Sequence, residues 1–288
     1  MNGNNDGSSV LTPGWRDNPF RRLVGRLAYP FLWMMNRPEA ASFNRSVYDL
    51  ALRVNGMAID YPGRHHLGLS EERFLRAMAP RLAGKLVLDV GANAGHYARC
   101  VRHFAPDARI VAFEPHPQTF EALRRSVEGC GIAAEQLALG DAAGRLELHD
   151  FAASDGSTQA SLSRDSVGMY SEDIVSHAVE VTTVDEWMAR NGAEEIALLK
   201  IDTEGYDLNV LKGARRALAE RRIRTIQFEF IPANIGTRVT MRDFYEVLRG
   251  YRISRLCLNG ALMPLGAYDV KRCEIYVTQV LVAEPVEG

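Results

Sequence analysis

The stretch Leu86-Val87-Leu88-Asp89-Val90-Gly91-Ala92-Asn93-Ala94-Gly95 constrains this chain more than any other. An apolar run of strand length, broken only by Asp89, enters a turn of small residues, and His96 to Val101 then continues with a spacing that suits a helix. A strand that opens through a glycine turn into a helix is the seed of an α/β sheet with nucleotide-ligand chemistry at its tip. Small side chains let a ligand approach the backbone, and a helix N-terminus offers amide donors. The turn is not a dinucleotide fingerprint, which needs glycines at the first, third and sixth positions; counted from Gly91, the third is Asn93 and the sixth His96. It is not a P-loop either, because no Gly-Lys-Ser/Thr closes it. Asn93 at the middle of the turn is compatible with the left-handed backbone that a glycine would otherwise supply.

With 288 residues, 47% of them hydrophobic, the chain can bury one large core and carry an appendage. A formal net charge of −2 argues against a general nucleic-acid binder. Cys100, Cys130, Cys257 and Cys273 lack metal-ligand or disulfide-framework spacing and are expected as buried thiols in a reducing cytoplasm. The sequence carries no recognisable secretory leader and no apolar run of membrane-spanning length, so a cytoplasmic protein is expected.

Three segments are expected: a disordered polar tail over 1–14, an N-terminal helical arm or cap over 15–80, and the main domain over 81–288. Within 16–37, Arg16, Arg21, Arg22, Arg26 and Arg37 flank the apolar run Leu27 to Met35, a pattern that offers a peripheral membrane or subunit contact. Pro30 is expected to interrupt any long helix there. A turn is expected at Tyr61-Pro62-Gly63, with the adjacent His65 and His66 in a loop. Ser70 followed by Glu71 and Glu72 marks a helix start, and Pro80 its end.

Beyond the turn, Arg109 to Phe113 reads as the second strand, with Glu114 at its tip. A carboxylate in that place can accept from both hydroxyls of a ribose, and it follows Gly91 at close to the roughly 20-residue spacing of such sites. Gln136 to Leu139 reads as the third strand, with Gly140-Asp141 at its tip. Arg145 to Phe151 and Ala178 to Thr182 alternate with period two and are expected to extend the sheet. Between them the polar stretch at about 152–177 is long enough for a lid-like insertion, within which Ser161 could reach a ligand. Ile196 to Ile201 is a buried strand whose carboxyl end turns polar through Lys200, Asp202 and Glu204; Lys200 and Asp202, two apart, share a face. A helix over Asp207 to Ala219, a strand over Ile223 to Phe230 with Glu229 near its tip, and a helix over Thr240 to Gly250 follow. The last strands, Arg252 to Leu258 and Glu274 to Val282, are expected to close the sheet as an antiparallel hairpin.

The turn fits the first motif of Rossmann-like methyltransferases: acidic residue, x, Gly, x, small residue, x, Gly. Together with Phe113-Glu114-Pro115, Leu199-Lys200-Ile201-Asp202-Thr203-Glu204-Gly205, Val210-Leu211-Lys212-Gly213-Ala214 and Gln227-Phe228-Glu229, it makes the chain resemble the FkbM family of S-adenosylmethionine-dependent methyltransferases. The resemblance is strong over about 85–230, weak beyond, and absent from the first 40 residues. It implies a class I Rossmann-like α/β fold: a mostly parallel seven-stranded sheet with a C-terminal antiparallel hairpin and extra strands inserted after the third strand. It implies S-adenosylmethionine as cofactor, with Asp89, Gly91, Asn93, Gly95, Glu114 and Asp141 as candidate binding residues; Asp141 would lie beside the adenine, or else be an ordinary turn aspartate. It implies O-methylation of a small-molecule or glycan hydroxyl, on a sugar, glycolipid or secondary metabolite. Methyl transfer is an in-line displacement helped mainly by positioning, and a neutral alcohol gains from a carboxylate that takes its proton. Asp202 is the candidate base, Glu204 and Glu229 candidates for orienting the acceptor, and Lys200 for holding a neighbouring carboxylate. The alternative for this group is a structural ion-pair network. Clustered carboxylates could also hold a divalent cation, although no ligand spacing indicates one. Two other functions compete: a non-catalytic Rossmann-like binding or assembly protein, and an NAD-dependent dehydrogenase, which would need the glycines missing from the turn.

Overall fold

The computed structural model describes residues 19–59, 63 and 67–286. The tail over 1–14 and the expected turn at Tyr61-Pro62, with His65 and His66, lie outside the described residues. The chain divides into two units, Met1–Val54 and Asn55–Gly288. The first contains α1 (Pro19–Met35) and α2 (Ala41–Val54), joined through a short 3-10 turn. Contrary to the expected break, α1 runs through Pro30, since an internal proline removes one hydrogen bond and can be absorbed as a kink.

The second unit begins with α3 (Leu69–Leu82) and continues β1 (Leu86–Val90), α4 (His96–Phe104), β2 (Arg109–Phe113), α5 (Pro117–Val127), β3 (Ile132–Glu135), β4 (Ala138–Leu139), β5 (Gly144–Phe151), α6 (Arg164–Gly168) and β6 (Ile174–Thr182). It goes on through α7 (Val184–Arg190), β7 (Leu198–Ile201), α8 (Asp207–Lys212), α9 (Arg215–Ala219), β8 (Ile226–Phe230), α10 (Ala233–Gly236), α11 (Met241–Val247), β9 (Tyr251–Leu256), β10 (Leu262–Pro264), α12 (Val270–Cys273) and β11 (Gln279–Pro285). The boundary expected near residue 80 therefore falls earlier. Phe74, Leu75, Met78 and Leu82 of α3 pack into one core with Val87 of β1 and Val101 of α4, so this helix belongs to the sheet domain.

Eight strands form one sheet in the order β10-β9-β11-β8-β7-β1-β2-β3. β3, β2, β1, β7 and β8 pair in parallel. β11 runs antiparallel between β8 and β9, and β10 adds an antiparallel edge. Taken as successive strands of the sheet, without the edge strand, the order is the class I methyltransferase arrangement implied above. The chain crosses from one side of β1 to the other between β3 and β7, which makes the carboxyl end of β1 the topological switch point, where open α/β sheets bind ligands. Two buried clusters cover the faces. Leu86, Leu88 and Val90 of β1 join Leu199 and Ile201 of β7 and Phe228 of β8 on one face, and Val87 and Leu198 join α3 and α4 on the other.

Several boundaries differ from expectation, each for a packing reason. The third strand is Ile132–Glu135, not Gln136 to Leu139: it pairs with β2 from Ile110↔Ile132 to Phe113↔Glu135. Glu135 is tolerated there because it accepts from the Trp187 indole at 3.1 Å. The residues expected as that strand instead supply β4, which pairs with β6. The extra strands do not extend the main sheet. β4, β6 and β5 make a separate three-stranded sheet with its own small core of Ala138, Leu148, Val179 and Val181. Exposed Arg145, Glu147 and Glu180 on the hairpin suit a one-sided sheet and would be costly inside a parallel sheet covered on both faces. The helix expected over 207–219 breaks at Gly213, where a Cβ would lie 1.9 Å from the Gly140 carbonyl oxygen. The closing strands are not a simple hairpin, since β10 and α12 lie between them and β11 begins only at Gln279. Among the described residues no helix is long and apolar enough to cross a membrane. All four cysteines are free, with Cys100 and Cys273 buried and Cys130 and Cys257 half-buried rather than buried as expected.

Candidate active site

A cavity of about 270 Å³ opens at the carboxyl ends of β1, β2 and β7. Val90 to Asn93 and His96 line it from the turn, Glu114 and Pro115 from β2, and Lys200 and Asp202 to Glu204 from β7. Leu137, Ala138, Leu139 and Leu148 give it an apolar wall, and Ser157, Thr158, Ala160, Ser161 and Leu162 of the insertion reach its rim.

The turn is held by its own polar groups. The N–H groups of Gly91 and Ala92 both donate to the Phe113 carbonyl, at 3.0 and 2.9 Å. Asn93 N–H donates to Glu114 Oε2 at 2.9 Å, Ala94 N–H to Asn93 Oδ1 at 2.6 Å, and Gly95 N–H to the Ala92 carbonyl at 2.8 Å. The free amides expected from 91–95 are therefore taken up within the protein. Asn93 has φ 47°, the left-handed backbone expected of it. Gly91, at φ 76°, is obligatory for contact as well: a Cβ there would lie 1.8 Å from the Asp202 carbonyl oxygen.

Glu114 is 7% exposed and accepts at both oxygens, from Asn93 N–H and from His116 N–H at 2.8 Å. A carboxylate offers about four lone-pair positions, so acceptor capacity remains for a ligand. Burial pushes its carboxyl up to about 7, against the pull of the two amides.

Register explains the second half of the site. Asp89 on β1 faces Lys200 on β7, and Lys200 faces Gln227 on β8, so three polar residues form a row across adjacent strands on the α3/α4 face. Lys200 Nζ lies 2.8 Å from Asp202 Oδ2 and 3.9 Å from Asp89 Oδ1. Gln227 donates to Glu71 Oε1 of α3 and accepts from the Tyr97 hydroxyl of α4, both at 2.7 Å. Burial works against the Lys200 ammonium, but the Asp202, Asp89 and Glu71 carboxylates together outweigh it and hold the group charged. Asp89 is fully buried with Lys200 as its ion partner, and burial raises its carboxyl to about 6 against the pull of Lys200 and the Ala98 amide. Burial likewise raises Glu71, Glu204 and Glu229.

The loop after β7 is anchored by Asp207, which accepts from Thr203 N–H at 2.9 Å and from Glu229 N–H at 3.0 Å. Within it Glu204 adopts φ 51°, a conformation costly for a residue other than glycine and characteristic of sites that use the strain. Ser161 of the insertion donates to the Thr203 carbonyl at 3.2 Å, so it touches this loop. Of the candidate residues, Gly91, Asn93, Glu114, Lys200, Asp202 and Glu204 line one cavity. Asp89, Gly95 and Glu229 are not part of that lining, nor is Asp141, which is exposed with the Tyr206 hydroxyl at 3.4 Å. Sequence reading missed Glu71, Gln227 and Asp207. Glu71 registered only as an acid in the first turn of α3, and nothing local signals the long-range partners of the other two.

A consequence for stability follows from the raised carboxyls. Asp89 and Glu114 bind protons more tightly folded, at about 6 and about 7, than unfolded, where the ordinary values are 3.8 and 4.5. Their contribution to stability is thus complete below the unfolded values and declines as pH rises through the folded ones. The melting temperature of the ligand-free protein should fall between roughly pH 4 and pH 7; scanning calorimetry showing a rise over that window would contradict these shifts.

Fold, switch-point cavity and strand-tip carboxylates together define a class I, Rossmann-like methyltransferase architecture. The family model of the Methyltransferase FkbM domain matches residues 89–253, and the chain belongs to that family. It is 29% identical over 154 residues to methyltransferase sdnD of Sordaria araneosa, covering 44% of this chain and 59% of the relative. It is 25% identical over 146 residues to the 2-O-methyltransferase NoeI of Sinorhizobium fredii (strain NBRC 101917 / NGR234), covering 48% and 60%. The chain thus spans about three fifths of the length of these curated relatives. Among solved structures, methyltransferase FkbM from Methylobacillus flagellatus KT is 16% identical, with a TM-score of 0.42, over 69% of this chain and 43% of that one.

Proposed function

We propose that this chain is an S-adenosylmethionine-dependent methyltransferase that O-methylates a hydroxyl of a sugar, glycolipid or secondary metabolite. The observation that carries the reading is that Glu114 and Asp202 meet across one cavity, at the tips of the strands on either side of β1. The residues fit the cofactor. Glu114 retains acceptor capacity for ribose hydroxyls, and the leucine wall suits an adenine. Occupied amides at 91–95 suit a nucleoside without phosphates better than a dinucleotide, whose pyrophosphate calls for such donors. Bound S-adenosylmethionine would supply an activated methyl group. Asp202, a third exposed and paired with Lys200, is the residue we assign to take the acceptor's proton. Lys200 positions that carboxylate, and Glu204, on its strained loop, orients the acceptor; Glu229 acts on this group from outside the lining.

The family and the name of NoeI support a hydroxyl acceptor. The insertion, through Ser157 to Leu162, is the segment we assign to cover it. Exposed Tyr29, Phe31 and Trp33 near Arg26 and Arg37 keep residues 16–37 as a candidate membrane-surface or subunit contact.

Calorimetric titration tests the cofactor directly. Binding of S-adenosylmethionine or S-adenosylhomocysteine, without binding of NAD, is expected. Glu114→Ala should weaken it by about 1.5–3 kcal/mol, roughly ten- to a hundred-fold. Unchanged affinity in a folded variant would remove Glu114 from the site, and failure of the wild-type chain to bind either form would overturn the reading.

A further inference from the structure

Beside the cavity, but outside its lining, three segments bring imidazoles and a carboxylate to one point. His116 follows β2 and caps α5, Asp155 belongs to the insertion, and His177 lies on β6. The Nε2 atoms of His116 and His177 lie 2.9 and 2.7 Å from the same oxygen, Asp155 Oδ1. One ligand atom from each residue falls within 4.8 Å of the others, and the two rings meet edge to face at 4.6 Å between centroids.

We propose that His116, Asp155 and His177 form a two-histidine, one-carboxylate site for a borderline divalent transition metal such as Zn²⁺, fastening the insertion to the loop that carries Glu114. The proposal does not depend on the methyl-transfer reading.

The donor set is that of such ions, which take imidazole nitrogen and carboxylate oxygen at about 2.0–2.2 Å. Two ligands at right angles on such an ion stand about 2.9 Å apart, and tetrahedral ligands about 3.3 Å; both imidazole–carboxylate spacings are already near these values, and the ring-to-ring spacing, within 4.8 Å, is the one that closes on an ion. The surroundings suit ligation. Gln118 Nε2 donates to Asp155 Oδ2 at 2.9 Å, which leaves Oδ1 to face the two rings. His116 Nδ1 accepts from Thr119 N–H at 3.4 Å as the cap of α5; once Nε2 is a ligand the ring proton sits on Nδ1, and the capping bond is exchanged for donation to the Thr119 hydroxyl oxygen, also at 3.4 Å. Buried Asp150, with Oδ2 3.9 Å from His116 Nε2, adds negative charge from a second side. His116 is fully buried, whereas His177 and Asp155 are each about a quarter exposed, so one side stays open for water or a fourth ligand.

The competing account is a purely hydrogen-bonded clamp with both Nε2 atoms protonated. Metal uptake separates the two. The full chain, stripped with a chelator and titrated with Zn²⁺ against a competing indicator, should bind one ion. X-ray absorption should show nitrogen and oxygen neighbours with the outer-shell scattering of two imidazoles. His177→Ala and Asp155→Asn should each weaken uptake by roughly a hundred-fold or more. The proposal is overturned by lack of stoichiometric uptake in the wild-type chain, by sulfur in the first shell, which would assign the ion to cysteine, or by unchanged affinity in a folded variant. If both variants fail to fold, the imidazole count in the wild-type spectrum decides.

Discussion

Asp202→Asn should leave the fold standing and lower turnover by about 10²–10⁴-fold, the loss typical of a missing general base. The structure permits a clean test because the Lys200 ammonium lies between two carboxylates: when Asp202 loses its charge, Asp89 remains 3.9 Å from Nζ. Lys200→Met is a different event. It removes the cation from among Asp89, Asp202 and Glu71 and leaves like charges facing one another in a buried row, a loss of about 3–5 kcal/mol when one partner of a buried pair is deleted. The expected pattern is therefore asymmetric, with Asp202→Asn acting on rate and Lys200→Met acting on stability. Turnover of the true acceptor, melting temperature and cofactor affinity, measured on both variants and on the double variant, read out the two roles separately. A near-normal rate together with a clear stability loss in Asp202→Asn would make Asp202 half of a structural ion pair and nothing more.

Gly91→Ala should abolish measurable cofactor binding and destabilise the domain by about 3 kcal/mol or more, the sum of a left-handed backbone forced on alanine and an overpacked contact. The new Cβ would lie 1.8 Å from the Asp202 carbonyl oxygen, so the tips of β1 and β7 would have to part where Asp202 N–H now donates to the Val90 carbonyl at 3.0 Å. Gly129→Ala is the control: it has φ 71° but nothing within 4 Å of an added Cβ, and should lose only about 1–2 kcal/mol. Urea midpoints for the two variants isolate the contact from the backbone cost. Equal losses would show that the close approach of β1 and β7 contributes nothing beyond conformation.

How legible the molecule was in its sequence depends on how local each signal is. The β1 turn, the tip of β2 and the polar end of β7 were readable because a parallel strand presents its carboxyl end where short-range pattern changes: an apolar run stops and small or charged residues follow. Glu114 and Asp202 could be singled out on that ground, and the cavity has both in its lining. The third strand was misread because Ile132-Ala133-Ala134-Glu135 carries too little apolar contrast to compete with Leu137 to Leu139, and only pairing with β2 selects it. Asp141, read either as a residue beside the adenine or as an ordinary turn aspartate, is not in the cavity lining, although Ala138 and Leu139 of β4 are.

The sequence by itself determined the strand–turn–helix seed at β1 and the residues at the tips of β1, β2 and β7, since these follow from neighbours along the chain. Tertiary structure alone decided the rest. Strand register aligned Asp89, Lys200 and Gln227 on one face, helix packing brought Glu71 and Tyr97 over that row, and the hairpin of β5 and β6 carried Asp155 and His177 to His116. These partners are separated by tens of residues in the chain. A buried charge or imidazole is stabilised by whichever group the fold brings within hydrogen-bond distance, and no local pattern encodes that choice.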